Sequence, residues 1–136
     1  MRILIDENMP VADKLFAGLG ELVRLPGRQM TAEQVAQADV LLVRSVTRVD
    51  ETLLAQARRL KFVGTATIGT DHIDQPLLAA RGIAFSSAPG CNKISVAEYV
   101  ISALLVLAER HQLSLAGMTL GIIGAGNTGS ALAAKA

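Results

Sequence analysis

Leu120-Gly121-Ile122-Ile123-Gly124-Ala125-Gly126-Asn127-Thr128-Gly129-Ser130-Ala131-Leu132-Ala133-Ala134 reads as a strand, a glycine turn and a helix that opens at Ser130. Leu120 to Ile123 is a short apolar run of the kind buried in a parallel sheet. Gly124 permits a tight turn, Gly126 lets a backbone approach a pyrophosphate, and Gly129 allows close packing of helix on strand. The amides at the start of the helix then face the phosphates. A G-x-G-x-x-G string is weak by itself, and a tight turn with no ligand is its bland reading. The strand before it and the helix after it supply the context for dinucleotide binding. A complete unit of this type takes about 30 residues for its first strand–helix–strand, with an acidic residue about 20 positions on. Neither fits before Ala136. The expectation is the front of a larger nucleotide-dependent enzyme.

Upstream, short apolar runs alternate with segments of helical period. Arg2–Asp6, Leu22–Leu25, Val40–Arg44, Phe62–Ala66 and Ile83–Ser87 are strand candidates. Between them, Val11, Leu15 and Leu19 recur at i, i+4 and i+8 and predict a helix that Gly20 ends. Thr31 and Gln34 form a capping-box pattern for a short helix to Gln37. Asp50 is placed to cap a helix carrying Leu53 and Leu54, and another helix is predicted from Asp74 to Arg81. Apolar strands separated by helices imply parallel pairing with both sheet faces covered. The fold predicted for residues 1–93 is therefore α/β, a flavodoxin-like doubly wound parallel sheet. Ser95 is read as the cap of a long helix to Leu113 spanning the interdomain stretch 94–116. Its apolar residues Val96, Tyr99, Val100, Ala103, Leu104 and Leu107 cover most of the circumference, which predicts burial on more than one side. Residues 117–136 then begin a truncated Rossmann domain, with little to bury against.

Hydrophobic residues make up 51% of the chain and charged residues 18%, enough for a packed core. The 13 basic and 12 acidic side chains give a formal net charge of +1 with no basic block. That leaves no electrostatic footprint for nucleic acid or an anionic membrane. Cys91 is the single cysteine, and the chain starts on a strand rather than a leader peptide, so a cytoplasmic location is expected. The longest apolar stretch, Tyr99 to Ala108, is short of the roughly 20 residues that span a bilayer.

In open parallel sheets ligands gather outside the carboxyl ends of the strands. Arg44-Ser45, Thr65-Ala66-Thr67-Ile68-Gly69-Thr70 and Ala88-Pro89-Gly90-Cys91-Asn92 leave three strands there. Hydroxyls, amides and one guanidinium suit a small carboxylate or phosphate. The competing reading has Ser45 and Thr67 capping helices and Arg44 paired with a nearby acid. Cys91 reads as a small apolar filler rather than a nucleophile, since no motif unites it with His72 or His111. His72 reads as a loop hydrogen-bonder rather than a general base. Asp6-Glu7, with Asn8, reads as shaping the turn into Pro10, and no zinc or calcium spacing is present.

Val43-Arg44-Ser45-Val46-Thr47, Gly64 through Asp74 (GTATIGTDHID) and Ala88-Pro89-Gly90-Cys91-Asn92 resemble the D-2-hydroxyacid dehydrogenase family. The related phosphoglycerate dehydrogenases share the VRS-x-T string. They usually read RAG-x-G-x-D and lack the cysteine, which makes them the second choice within the family. The resemblance implies a substrate domain first, a long helix crossing to an NAD domain, and a homodimer. It implies oxidation of a small phosphorylated 2-hydroxy acid at C2, with the hydride passing to NAD. Ser45 and Thr67 become substrate contacts, and backbone amides around Ala66–Gly69 hold the carboxylate. Arg44 is a further candidate for the phosphate or carboxylate. Gly124, Gly126, Asn127, Thr128 and Gly129 lie against the pyrophosphate, with Ile68 towards the nicotinamide. The family's catalytic Arg, Glu and His fall downstream of Ala136, so residues 1–136 alone are expected to be inactive. Two readings from other classes are a catalytically silent module that binds a small acid or associates with a longer subunit, and a methyltransferase binding S-adenosylmethionine. The five-strand domain ahead of the glycine motif disfavours the latter.

Overall fold

The computed structural model describes residues 1–136. They divide into two compact units, Met1–Ala88 and Pro89–Ala136. The first contains β1 (Arg2–Asp6), α1 (Ala12–Phe16), β2 (Glu21–Leu25), α2 (Ala32–Val35), β3 (Val40–Val43), β4 (Phe62–Thr65), α3 (Gln75–Ala80) and β5 (Ala84–Ser86). The strands form one sheet in the order β2-β1-β3-β4-β5, with every pair parallel. This is the flavodoxin-like order, and the sequence pattern anticipates it. Alternation along each strand sorts the core onto two faces. Leu4, Leu41, Val43 and Val63 join Val35, Val49, Leu54, Leu78 and Ile83 on one side. Ile3, Ile5 and Leu42 meet Ala12 on the other, with Met9, Phe16, Leu22 and Phe62 partly buried around them.

Two predicted helices of the first unit differ in the structure. The first is only Ala12–Phe16, because Val11 at its start takes a left-handed φ of 58°. Val11, Leu15 and Leu19 are all largely exposed, and Ala12 with Phe16 carries the buried contact instead. The apolar face therefore sits one position later than the i, i+4, i+8 pattern indicates. Asp50 does accept from the Leu53 amide at 3.1 Å, and Leu53 and Leu54 are buried. Residues 51–56, however, form successive turns rather than a helix. The capping box is present as predicted, with Thr31 N–H donating to Gln34 Oε1 at 2.9 Å and Gln34 N–H donating to Thr31 Oγ1 at 3.4 Å.

The second unit is built on α4 (Lys93–Arg110) and α5 (Asn127–Ala133). Ser95 does not cap α4. The helix starts earlier, behind Asn92, and Ser95 Oγ donates to the Asn92 carbonyl at 3.0 Å from within the first turn. At the other end Gln112 takes a φ of 53° and Leu113 N–H donates to the Ala108 carbonyl at 2.8 Å, a Schellman closure. Only Ala97 and Ala108 of α4 are buried, whereas Tyr99, Leu105 and Val106 face solvent. Burial on more than one side is thus not met within this chain. Leu120–Ile123 forms no strand, and Ile123 is fully exposed. The unit supplies no neighbouring strand, so a lone segment has no ladder to join. α5 begins at Asn127, one turn ahead of the predicted Ser130, and Lys135 pairs with Glu98 of α4 at 3.0 Å. No helix is long and apolar enough to cross a membrane.

Candidate functional site

The register of the sheet sets the site of the first unit. Val43 pairs with Thr65, so β3 and β4 end level and release Arg44-Ser45 beside Ala66-Thr67. The Arg44 turn is closed by Thr47 N–H donating to the Arg44 carbonyl at 3.1 Å. Thr47 is buried and its hydroxyl donates to the Gly27 carbonyl at 2.9 Å, which ties this turn to the one after β2. Gly27 leaves no room for a side chain: a Cβ would overlap Asp6 Oδ2 and lie 2.8 Å from Thr47 Oγ1. Asp6 is fully buried at the end of β1. Its Oδ1 accepts from the Asn8 amide at 2.8 Å and its carbonyl from Met9 N–H at 3.0 Å, while Oδ2 has no partner. It shapes the turn into Pro10, as the sequence reading expects.

That turn forms one wall of a cleft of about 460 Å³, lined by Asn8, Met9, Pro10, Ala12, Leu15, Phe16, Arg44 and Ala66. Arg44 is half-buried and takes part in none of the chain's ion pairs. The local-acid alternative for Arg44 is therefore not what the structure has. Arg44 is the one charged residue lining a mostly apolar cleft, where charge-assisted bonds to an anion gain strength. Ser45 is exposed on the same turn and caps nothing.

The loop after β4 carries the densest polar network. Thr65 Oγ1 lies 2.7 Å from Thr67 Oγ1 and 2.9 Å from His72 Nε2, and Thr67 Oγ1 donates to the Gly69 carbonyl at 2.9 Å. The Ala66 amide is spent on the Val43 carbonyl at 3.0 Å, so it is unavailable to a carboxylate. The amides of Thr67, Ile68 and Gly69 donate to no protein acceptor and form the open part of the loop, with Ile68 exposed. His72 is held from behind, its carbonyl accepting from Val49 N–H at 2.8 Å beside the Val49–Ile73 bridge. Burial pushes its imidazole below its ordinary pKa, against the opposing pull of the Asp71 carboxylate. His72 is thus a loop hydrogen-bonder, as expected. Thr47 and Gly27 are site-building residues to which the sequence reading gave no such role, whereas Thr65 lies in the segment it placed at the ligand edge.

In the second unit the glycine turn has the geometry its spacing requires. Gly124 takes a φ of 96°, and Gly129 packs so tightly that a Cβ would overlap the Gly124 carbonyl. Nothing lies within 4 Å of a Cβ built on Gly126, so the space beside its backbone is open. α5 starts behind Gly126 with no side-chain cap, leaving the amides of Asn127 and Thr128 to a ligand. A cavity of about 620 Å³ there is lined by Lys93, Ile94, Ala125, Gly126, Asn127, Ser130 and Ala131.

Residues 3–134 match the family model described as "D-isomer specific 2-hydroxyacid dehydrogenase, catalytic domain". The chain belongs to this 2-hydroxyacid dehydrogenase family. Within it, the chain is 68% identical over its whole length to proteins named erythronate-4-phosphate dehydrogenase from Tolumonas auensis and from Aeromonas hydrophila. It spans 36% of the length of each of these curated relatives. Among solved structures, the TT0316 protein of Thermus thermophilus superposes with a TM-score of 0.85 at 26% identity, over 99% of this chain and 52% of that one. A cofactor-bound 3-phosphoglycerate dehydrogenase of Entamoeba histolytica gives 0.72 at 24% identity, over 99% and 50%, a likeness of fold. The 2-hydroxyacid dehydrogenase assignment agrees with the resemblance drawn from the VRS-x-T, GTATIGTDHID and APGCN strings.

Proposed function

We propose that these residues are the leading part of an NAD-dependent erythronate-4-phosphate dehydrogenase of the cytoplasm, with 1–93 as its substrate domain, 94–116 as an interdomain helix and 117–136 opening its cofactor domain. The reaction is oxidation of 4-phospho-D-erythronate at C2 to 2-oxo-3-hydroxy-4-phosphobutanoate, within pyridoxal 5'-phosphate biosynthesis. The observation that carries this reading is the 68% identity over the full chain to relatives of that name. The local chemistry supports it. The amides of Thr67, Ile68 and Gly69 have no protein acceptor and are free to take the substrate carboxylate. Ser45 and Thr67 contact the acid, and unpaired Arg44 takes its phosphate or carboxylate, with Ala66 lining the same cleft. Gly124, Gly126, Asn127, Thr128 and Gly129 hold the pyrophosphate, and Ile68 is assigned to the nicotinamide. NAD, when bound, supplies the hydride acceptor. The family partner is a second copy of the same subunit.

The test is ligand-observed NMR on the 136-residue chain with 4-phospho-D-erythronate, using 3-phosphoglycerate as competitor. Saturation by the erythronate that weakens in both Ser45→Ala and Thr67→Ala is the expected result. Equal or better binding of 3-phosphoglycerate would move the assignment to the other branch of the family.

A further inference from the structure

The three hydrogen bonds of the β4 loop have one direction only. The Gly69 carbonyl can only accept, so the Thr67 hydroxyl proton is committed to it at 2.9 Å. With that proton spent, the 2.7 Å contact between the two threonines needs the Thr65 proton, since two opposed lone pairs at that distance would repel. Thr65 has then no proton left for His72, and the 2.9 Å contact to Nε2 is satisfied only if the ring donates. The chain therefore runs from His72 Nε2–H to Thr65, from Thr65 to Thr67, and from Thr67 to Gly69. Thr65 is buried, so water does not compete for its hydroxyl.

One lone pair of Thr67 Oγ1 remains, and it is the only group this hydroxyl has left for a ligand. From this we infer that Thr65 and His72 are positioning residues that turn the Thr67 proton inward, so that Thr67 meets the bound acid as an acceptor and selects a ligand hydroxyl over an anionic oxygen. The inference rests on the proposed role of Thr67 as a substrate contact. It divides labour within the loop: amides 67–69 take the anion, and the threonine takes the alcohol. The imidazole titrates at Nδ1 while Nε2 keeps its proton in both forms, so the direction of the relay survives protonation of the ring.

Two measurements on the 136-residue chain test this. Long-range proton–nitrogen correlation spectra of His72 at neutral pH should show the Nε2–H tautomer, and Thr65→Val should abolish that preference. An Nδ1–H tautomer in the unmodified chain overturns the relay. The second measurement compares the affinities of 4-phospho-D-erythronate and of 4-phosphobutanoate, which lacks both hydroxyls. The unmodified chain should prefer the former by about fivefold, the worth of one neutral hydrogen bond. Thr67→Val, Thr65→Val and His72→Leu should each lose most of that preference, and the Thr65→Val/Thr67→Val pair should lose no more than Thr67→Val alone. His72→Gln, whose amide can donate from the Nε2 position, should restore it. No preference in the unmodified chain, or no binding, overturns the acceptor assignment. An unchanged preference in Thr67→Val removes Thr67 from the ligand contacts and so strikes the functional reading. Loss in Thr67→Val but not in Thr65→Val or His72→Leu leaves that reading intact and overturns the positioning role alone.

Discussion

Gly27 shows how little slack the residues behind the site have. Adding one methyl there drives it into Asp6 Oδ2 and against Thr47 Oγ1, both buried and both holding turns that carry cleft residues. Gly27→Ala should cost about 1–3 kcal/mol, the usual penalty for overpacking, and urea unfolding would measure it. His72 and Asp39 both contribute to the acid response, together with Asp13 and Glu33, whose carboxylates are also held below their ordinary range. His72 is neutral in the fold over a range where the unfolded chain binds a proton, because its pKa lies below 6.5. Stability should therefore be full above that value and fall as the pH drops just below it. The Asp39 carboxylate is held below its ordinary 3.8, first by the Arg2 amide that donates to it at 2.8 Å and then by Arg59. Its contribution is present above 3.8 and is lost as the pH falls through the lower, folded value. Urea midpoints followed down the pH scale should decline in two stages, the first absent in His72→Gln and the second reduced in Asp39→Asn, with Asp13 and Glu33 supplying the remainder. A single decline in the unmodified chain would contradict this. The donors and acceptors of the β4 loop are all legible in GTATIGTDHID; strand-end position brings Arg44, Ser45 and Thr67 to one edge, and only the family resemblance singles out Ser45 and Thr67 as substrate contacts. What spacing does not carry is the direction of a hydrogen bond, which needs the seven-residue return that brings His72 onto Thr65.

Among the elements, the five strands of the sheet were legible because each is a continuous apolar run, and such runs fit only a sheet covered on both faces. α1 was misplaced for a related reason. Its apolar residues outnumber the contacts the sheet offers, and the sheet takes Ala12 and Phe16, leaving Leu19 more than half exposed at 54%. Leu19→Lys should accordingly move stability by no more than about 0.5 kcal/mol. Leu41→Ala, at 0% exposure in the middle of β3, should cost about 2–5 kcal/mol. Thermal unfolding of the pair checks both, and a large loss in Leu19→Lys would restore the original stripe. Leu120–Ile123 failed as a strand because strand character depends on a partner as much as on composition. Hydrogen exchange should find the amides of Ile122 and Ile123 far less protected than those of Ile3 to Ile5. Equal protection would mean that the segment has found a ladder.

At the scale of the molecule, the α/β class and flavodoxin-like order were predictable, whereas the exposure of α4 was not. Its apolar circumference implies covering surfaces, and within this chain Tyr99 and Val106 have none, at 74% and 62% exposed. We expect the chain to self-associate through that face, as a subunit of a homodimer would, and sedimentation should show Val106→Glu shifted to monomer. We also expect no NADH production from residues 1–136 with 4-phospho-D-erythronate and NAD. Hydride transfer needs a base on the hydroxyl proton, and His72 is bound to Thr65 while His111 closes α4. A cofactor-dependent absorbance rise from pure chain would refute this. The strand order also bears on synthesis. β1 lies between β2 and β3 and pairs with both, Ile3 with Leu22 and with Val40. β1 leaves the ribosome before the other four strands of the sheet and is thus its template, completed on both edges once residue 43 has emerged. Chains are made at about 5–20 residues per second, ample time for those three strands to meet before β4 exists. Assembly then proceeds in one direction, each later strand adding to a single growing edge, so the nascent chain never has to insert a strand between two already joined.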